Sequence, residues 1–137
     1  MKSMLPCLVL LFLLLLSIAC KKDNQQPANI SIAENKCLQG NIGSYQAEIC
    51  FDSVVNDSRC PVNFLCFTSG RAVAAFTFRK DNQSVSFTLS TAGTSPSPDT
   101  VIFGTYIKLV NLLPFPNGDQ PQIHPDTALL NIPGFHG

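Results

Sequence analysis

Between Ser84 and Ser90 the chain alternates strictly. Val85, Phe87 and Leu89 are apolar, and Ser84, Ser86, Thr88 and Ser90 between them are polar. Successive side chains of a strand leave on opposite sides, so this pattern describes a ribbon with one face in a core and the other in water. Upstream, Ala72, Ala74, Phe76 and Phe78 repeat the alternation, and Asp81 and Asn82 separate the two runs. Asp and Asn tolerate the left-handed backbone that a two-residue turn requires. Residues 72–80 and 83–90 are therefore predicted to form a hairpin with Phe76, Phe78 and Phe87 on one side.

Other runs extend the same reading. Ala47, Ile49 and Phe51 alternate within a strand from Tyr45 to Val54, with Val55 behind it. Val101 to Leu113 mixes Ile107 and Leu109 with Tyr106 and Val110, as expected of one strand buried on both faces. Thr127 to Ile132 reads as a short last strand, and Ile30 and Ile32 as an opening edge strand. No segment sustains a helical period of 3.6 residues. The ten prolines punctuate the chain, notably Pro96 and Pro98, then Pro114, Pro116, Pro121 and Pro125. Proline removes a ladder donor, so these stretches are turns and loops rather than central strands. The expected fold is all-β, with five to eight strands in a small antiparallel β-sandwich or open barrel. Its bulk comes from ten phenylalanines, with no tryptophan.

The first twenty residues set the compartment. Lys2 precedes an apolar run from Leu8 to Leu16, and Ala19 precedes Cys20. That run is shorter than the roughly 18 to 20 residues that a membrane-spanning helix needs, and its flanks suit a secretory signal. LLLLSIAC resembles a bacterial lipoprotein signal peptide of the Bacteroidetes type, which relaxes the position held here by Ser17. The resemblance implies cleavage after Ala19 and acylation of Cys20, giving a palmitoyl-type anchor. Ordinary cleavage and release of a soluble periplasmic protein is the other reading. Residues 1–19 are then signal, 20–29 the lipidated cysteine and a polar tether, and 30–137 one all-β domain. Lys21, Lys22 and Asp23 resemble the surface-export signals of such lipoproteins, or form a plain linker. The implied location is the bacterial envelope, at the periplasmic or outer face of the outer membrane. The membrane is reached through the lipid, and an envelope protein or glycan is the further partner. Nine basic side chains balance nine acidic ones without a basic stripe, which excludes a nucleic-acid partner.

Cys7 leaves with the signal and Cys20 takes the lipid, so Cys37, Cys50, Cys60 and Cys66 remain. An even number in an exported domain reads as disulfides. Of the three pairings, Cys60–Cys66, a local loop around Pro61, with Cys37–Cys50 is favoured. Each short closure constrains the unfolded chain by about 2 to 3 kcal/mol. A metal site is the competing reading, but the spacing of Cys60 and Cys66 exceeds that of a zinc knuckle, and His124 and His136 would join only by long-range folding. No metal and no cofactor are expected.

The densest signature runs from Asn56 to Phe78. Asp57, Ser58, Arg59, Cys60 and Pro61 precede Cys66, Gly70 and the strand from Ala72 to Phe78. This resembles a family of small Bacteroidetes lipoproteins with a DSRCP stretch, a second cysteine, a glycine and a hydrophobic strand. Phe67, Thr68 and Ser69 stand where that family commonly has an aromatic before the glycine. The ending from Tyr106 to Pro116 is similar to the family's strand and Pro-x-Pro loop. The resemblance covers residues 45–132 and implies fold and location, without an activity. Physically, Asp57 caps a turn, and the Arg59 fork pairs with Asp57 or reaches loop carbonyls. Gly70 permits a backbone closed to other residues. Such a loop is a structural staple or a recognition loop. Asp57, Arg59, Pro61 and Phe64 are the recognition residues in the second case, with Arg59→Ala expected to weaken capture of a partner without much loss of stability.

Catalysis finds no pattern. There is no Gly-x-Ser-x-Gly elbow, no paired carboxylates and no phosphate-cradling loop. His124 has no sequence cue to a nucleophile, and His136, next to the last residue, is expected to fray. Asp99-Thr100-Val101 matches a short O-glycosylation pattern, with Thr100 the best placed. The sequence thus points to a non-catalytic binding or structural module, with an envelope hydrolase or protease-inhibitor-like protein as the alternative.

Overall fold

Nine strands follow one another in the computed structural model, which describes residues 29–119 and 125–137. The expected signal, Cys20, the tether as far as Ala28, Pro121 and His124 lie outside those residues, and Asn29, expected as the tether's last residue, opens the first strand. The strands are β1 (Asn29–Ala33), β2 (Lys36–Ile42), β3 (Tyr45–Asp57), β4 (Ala72–Lys80), β5 (Gln83–Ser90), β6 (Asp99–Ile102), β7 (Thr105–Leu113), β8 (Thr127–Asn131) and β9 (Phe135–His136). They form two antiparallel sheets, ordered β1-β8-β7-β6 and β5-β4-β3-β2-β9. One hydrophobic core joins them. Ile107, Leu109, Leu112 and Leu130 enter from the four-stranded sheet, and Ile49, Phe51, Phe76, Phe78 and Leu89 from the five-stranded one. Two sheets sharing one core make a sandwich rather than an open barrel.

The expected hairpin is β4–β5. Lys80 opposes Gln83 across a two-residue turn in which Asp81 takes φ 52°. Phe51, Phe76 and Phe87 stand opposite one another on three neighbouring strands, with ring centroids 5.3 and 5.8 Å apart. This aromatic rung crosses the centre of the sheet. Phe78 extends it to Phe103 of the other sheet's β6–β7 turn, at 6.3 Å. Tyr45 and Thr105 share a hydroxyl hydrogen bond between the sheets.

Three expectations need correction. The run from Val101 to Leu113 is not one strand buried on both faces. Phe103 and Gly104, at φ 50° and 77°, turn it into the β6–β7 hairpin. Along β7, Ile107 and Leu109 are buried while Tyr106, Lys108 and Val110 are exposed, because no described segment covers the outer face of this sheet. The tail does not fray either. Phe135 is buried in the core, and β9 pairs with β2 through Asn41–His136 and Ile42–Phe135. A side chain at Gly40 would meet the Phe135 ring at 2.5 Å, so the glycine leaves room for that ring to close the sandwich. Finally, Thr100 opposes the buried Ile107 and is itself half-buried on the inner face of β6, a poor position for a sugar.

Two residues, Glu34 and Asn35, carry the chain from β1 in one sheet to β2 in the other. Asn35 adopts φ 60°, and the Glu34 carboxylate accepts from Val54 N–H at 3.1 Å, where β3 shifts register. On the outer face, Cys37 and Cys50 are directly opposed and form a disulfide across β2 and β3.

Phe76→Ala removes the middle of the aromatic rung. It is expected to lower the unfolding free energy by about 3 to 5 kcal/mol, read by urea titration. A loss below about 1 kcal/mol would contradict this account of the core.

Candidate functional site

Where β3 ends at Asp57, its pairing with β4 continues into a loop instead of stopping. Ser58 N–H donates to Arg71 O at 2.9 Å, and Cys60 N–H donates to Ser69 O at 2.9 Å. Gly70, at φ 63°, makes that approach possible, since a Cβ there would lie 1.8 Å from Ser58 O. Cys60 and Cys66 then close the loop as a disulfide. Inside it, Phe64 N–H donates to Pro61 O at 3.1 Å.

A second loop, after β7, braces the first. Val62 N–H donates to Pro116 O at 3.0 Å. The Asn63 amide donates to Asn117 Oδ1 at 3.0 Å and to Asp119 Oδ2 at 2.8 Å. The Phe64 ring lies across Gly118, where any Cβ would come within 2.0 Å of a ring carbon. The two loops thus form one body at the end of the sandwich.

Arg59 joins that body to both sheets. Its side chain is buried, and it is not a recognition residue as expected from the sequence. Nε donates to Asp57 Oδ1 at 2.9 Å and Nη2 to Asp57 Oδ2 at 2.6 Å. Nη1 donates to Leu112 O, Nη2 also to Pro114 O at 3.0 Å, and the guanidinium lies 4.6 Å from the centre of the Phe115 ring. Asp57 accepts from Arg59 N–H at 3.1 Å, the turn cap foreseen from the sequence. With both groups turned inward, neither is offered to a partner. The expected pairing of Arg59 with Asp57 is present, but the carbonyls it reaches belong to β7 and the second loop rather than to its own.

What the tip does offer is apolar. Leu65 and Phe67 are fully exposed, at 106% and 111%, and Val62, Phe64 and Phe115 are each more than two-fifths exposed. Pro61 is half-buried beneath them. Of the expected recognition residues, Phe64 alone belongs to this surface. Sequence reading marked Phe67 only for its place before Gly70 and passed over Leu65 and Phe115. Leu65 and Phe67 were legible as apolar residues flanking Cys66, whereas the meeting of Phe115 with the tip depends on a contact more than forty residues away.

A second surface is polar. The outer face of β2, β3 and β4 forms a shallow depression of about 470 Å³ bordered by Gln39, Asn41, Glu48, Arg79, Asp81 and His136. Glu48 accepts from the Gln39 amide at 3.1 Å and pairs with Arg79. The Gln39 bond first, and then Arg79, hold its carboxyl below the ordinary range. A carboxylate fixed in the ionised form suits a structural ion pair better than proton transfer. Cys37, Glu48 and Cys50 bring their sulfur and oxygen atoms within 4.8 Å of one another. The two sulfurs are bonded to each other, so neither is a thiolate that could hold a metal. Comparison with protein-family models, with curated proteins and with solved structures yields no match.

Arg59→Ala takes the guanidinium donors from Asp57, which keeps only the backbone N–H of residue 59, and from two carbonyls. It is expected to cost about 3 to 5 kcal/mol in urea unfolding, with Arg59→Lys restoring only part, because an ammonium cannot span the same fork. Glu48 gives a pH dependence. Its folded-state pKa lies below the unfolded value near 4.5, so its contribution is complete above that value and is lost as pH falls through the folded one. Between about pH 6 and about pH 3, wild type should lose more unfolding free energy than Glu48→Gln. Equal losses in the two proteins would refute that role.

Proposed function

We propose that this chain is a non-catalytic binding module, held to the bacterial envelope by acyl lipid on Cys20, that uses the braced apolar tip as its binding end. The observation that carries this reading is the exposure of Val62, Phe64 and Leu65 on a loop closed by a disulfide, with Phe67 just past that closure and Phe115 on the bracing loop. Soluble proteins rarely display contiguous apolar side chains of this size, and those that do use them to bind. A loose loop could fold such residues back on the core. The Cys60–Cys66 bond, the ladder to Ser69 and Arg71, and the seat on Gly118 keep them out. Rigidity of this kind lowers the ordering cost of binding.

The signal-like sequence ending at Cys20 and the DSRCP resemblance support an exported lipoprotein. Two disulfides agree with an oxidising compartment. A binding role rather than catalysis is favoured because the buried Arg59–Asp57 pair and the Glu48–Arg79 pair are committed to one another.

Two experiments test the reading. Cys20→Ala should move the protein from the membrane fraction to the soluble fraction. The exported chain carrying Cys20→Ala should still bind isolated envelope, and adding Leu65→Ser with Phe67→Ser should weaken that binding at least about tenfold while changing unfolding free energy by no more than about 0.5 kcal/mol. Unchanged binding by that variant would remove the tip from the function.

A further inference from the structure

We infer that the tip's partner is the bilayer itself: Leu65 and Phe67 enter the interfacial layer of the membrane that holds the Cys20 lipid. This inference rests on the lipid-anchored binding reading above. The shape of the site points to it. Leu65 and Phe67 expose as much surface as they would in an isolated peptide, so they form a prow and not a groove. A protein partner would need a matching pocket, whereas a lipid interface deforms around a convex apolar group. Insertion of about 5 to 10 Å brings such side chains to the boundary of headgroups and acyl chains.

The backbone at the base of the tip is paired, while the N–H groups of Leu65 and Phe67 have no partner among the described residues and stay at the hydrated headgroup level as the side chains enter. Cys60, Val62 and Phe64 each donate their N–H to a carbonyl of the tip or its brace. Unpaired backbone donors are what normally exclude loops from lipid. Arg59 is paired with Asp57, and Asp119, which accepts from the neutral Asn63 amide, keeps its charge exposed on the bracing loop. Among the described residues no basic ring surrounds the apolar side chains, so the proposed contact needs no anionic lipid.

The anchor can deliver the tip to the same membrane. β1 runs from Asn29 towards the tip, since Ala33 opposes Thr127 and Thr127 opposes Leu113 at the end of β7 that leads into the bracing loop. Asn29 therefore lies four residue steps, about 14 Å, from that end of the sheet. The nine steps from Cys20 to Asn29 span at most about 30 Å, roughly twice that distance. Weak partition of a single loop becomes effective under such a tether, because the second contact is intramolecular.

The test uses the lipid-bearing protein with Phe67→Trp, which places one indole in a chain that has no tryptophan. It is reconstituted in vesicles of zwitterionic phosphatidylcholine, with and without brominated acyl chains. Blue-shifted emission that bromine quenches, unaltered by high salt, is the expected result. Ser84→Trp, on the outer face of β5, should stay water-like and unquenched. Adding Leu65→Ser to Phe67→Trp should lower the inserted-to-free ratio by about tenfold. Water-like emission with an acyl mass present on Cys20 overturns the inference and leaves the anchor standing. An absent acyl mass overturns the anchor and the inference with it. A blue shift without quenching, together with a doubled particle mass, overturns it in favour of a second copy on the tip.

Discussion

A single buried guanidinium holds the end of this sandwich together. Arg59 lies two residues past the end of β3, in the five-stranded sheet, and its donors end on Leu112 O and Pro114 O, at the end of β7 in the four-stranded sheet. A charge removed from water is tolerable only with full compensation. Here the compensation is a carboxylate, two carbonyls and an aromatic face. Those groups come from both sheets, so their convergence sets the distance between the sheet ends. A planar fork also fixes direction, which a flexible ammonium would not. Cys60 follows immediately, and the tip inherits its orientation from that fixed point.

The two disulfides act at different levels. Cys37–Cys50 ties strands that already pair in register, beside the Gln39–Glu48–Arg79 network on the outer face. It reinforces a ladder. Cys60–Cys66 closes a segment that has no sheet to lean on, and there the bond replaces a core. Exposed apolar side chains gain from collapse, so a loop carrying them stays extended only if collapse is blocked. The Phe64 seat on Gly118 and the Val62 bond to Pro116 supply that block on the side away from the disulfide.

Legibility of the fold followed the strength of the alternation. β4 and β5 were readable because their inward residues, Ala72 to Phe78 and Val85 to Leu89, are apolar at every second position and Asp81 marks the turn. β2 was not, because its inward positions are Leu38, Gly40 and Ile42, and a glycine hides the period. The β6–β7 turn was hidden in a different way. Phe103 occupies it as an apolar residue, since its ring reaches Phe78 across the core. β9 has two residues, too short for any period, and exists because Phe135 has a pocket over Gly40. Half of the tip could be read from Cys60, Cys66 and Phe64. The burial of Arg59 could not, because the acceptors that draw it inward lie more than fifty residues away.

The outer face of the four-stranded sheet also shows apolar residues, and the contrast with the tip is instructive. Val101 and Val110 are exposed there, but Tyr106 and Lys108 stand among them. Tyr106 donates its hydroxyl to Asp99 at 2.9 Å. That bond raises the Tyr106 pKa and, after the bond from Ser97, lowers that of Asp99, so the pair keeps a hydrated charge on the face. Apolar residues that lie flush with a sheet, one by one among polar neighbours, are ordinary surface. The tip differs in three respects at once. Leu65 and Phe67 flank Cys66 of the same disulfide, they are fully exposed, and the Arg59 guanidinium at the base of the loop is already paired with Asp57. A chain that spends a disulfide, a glycine seat and a buried ion pair on holding two apolar side chains in water is organised around what those side chains meet.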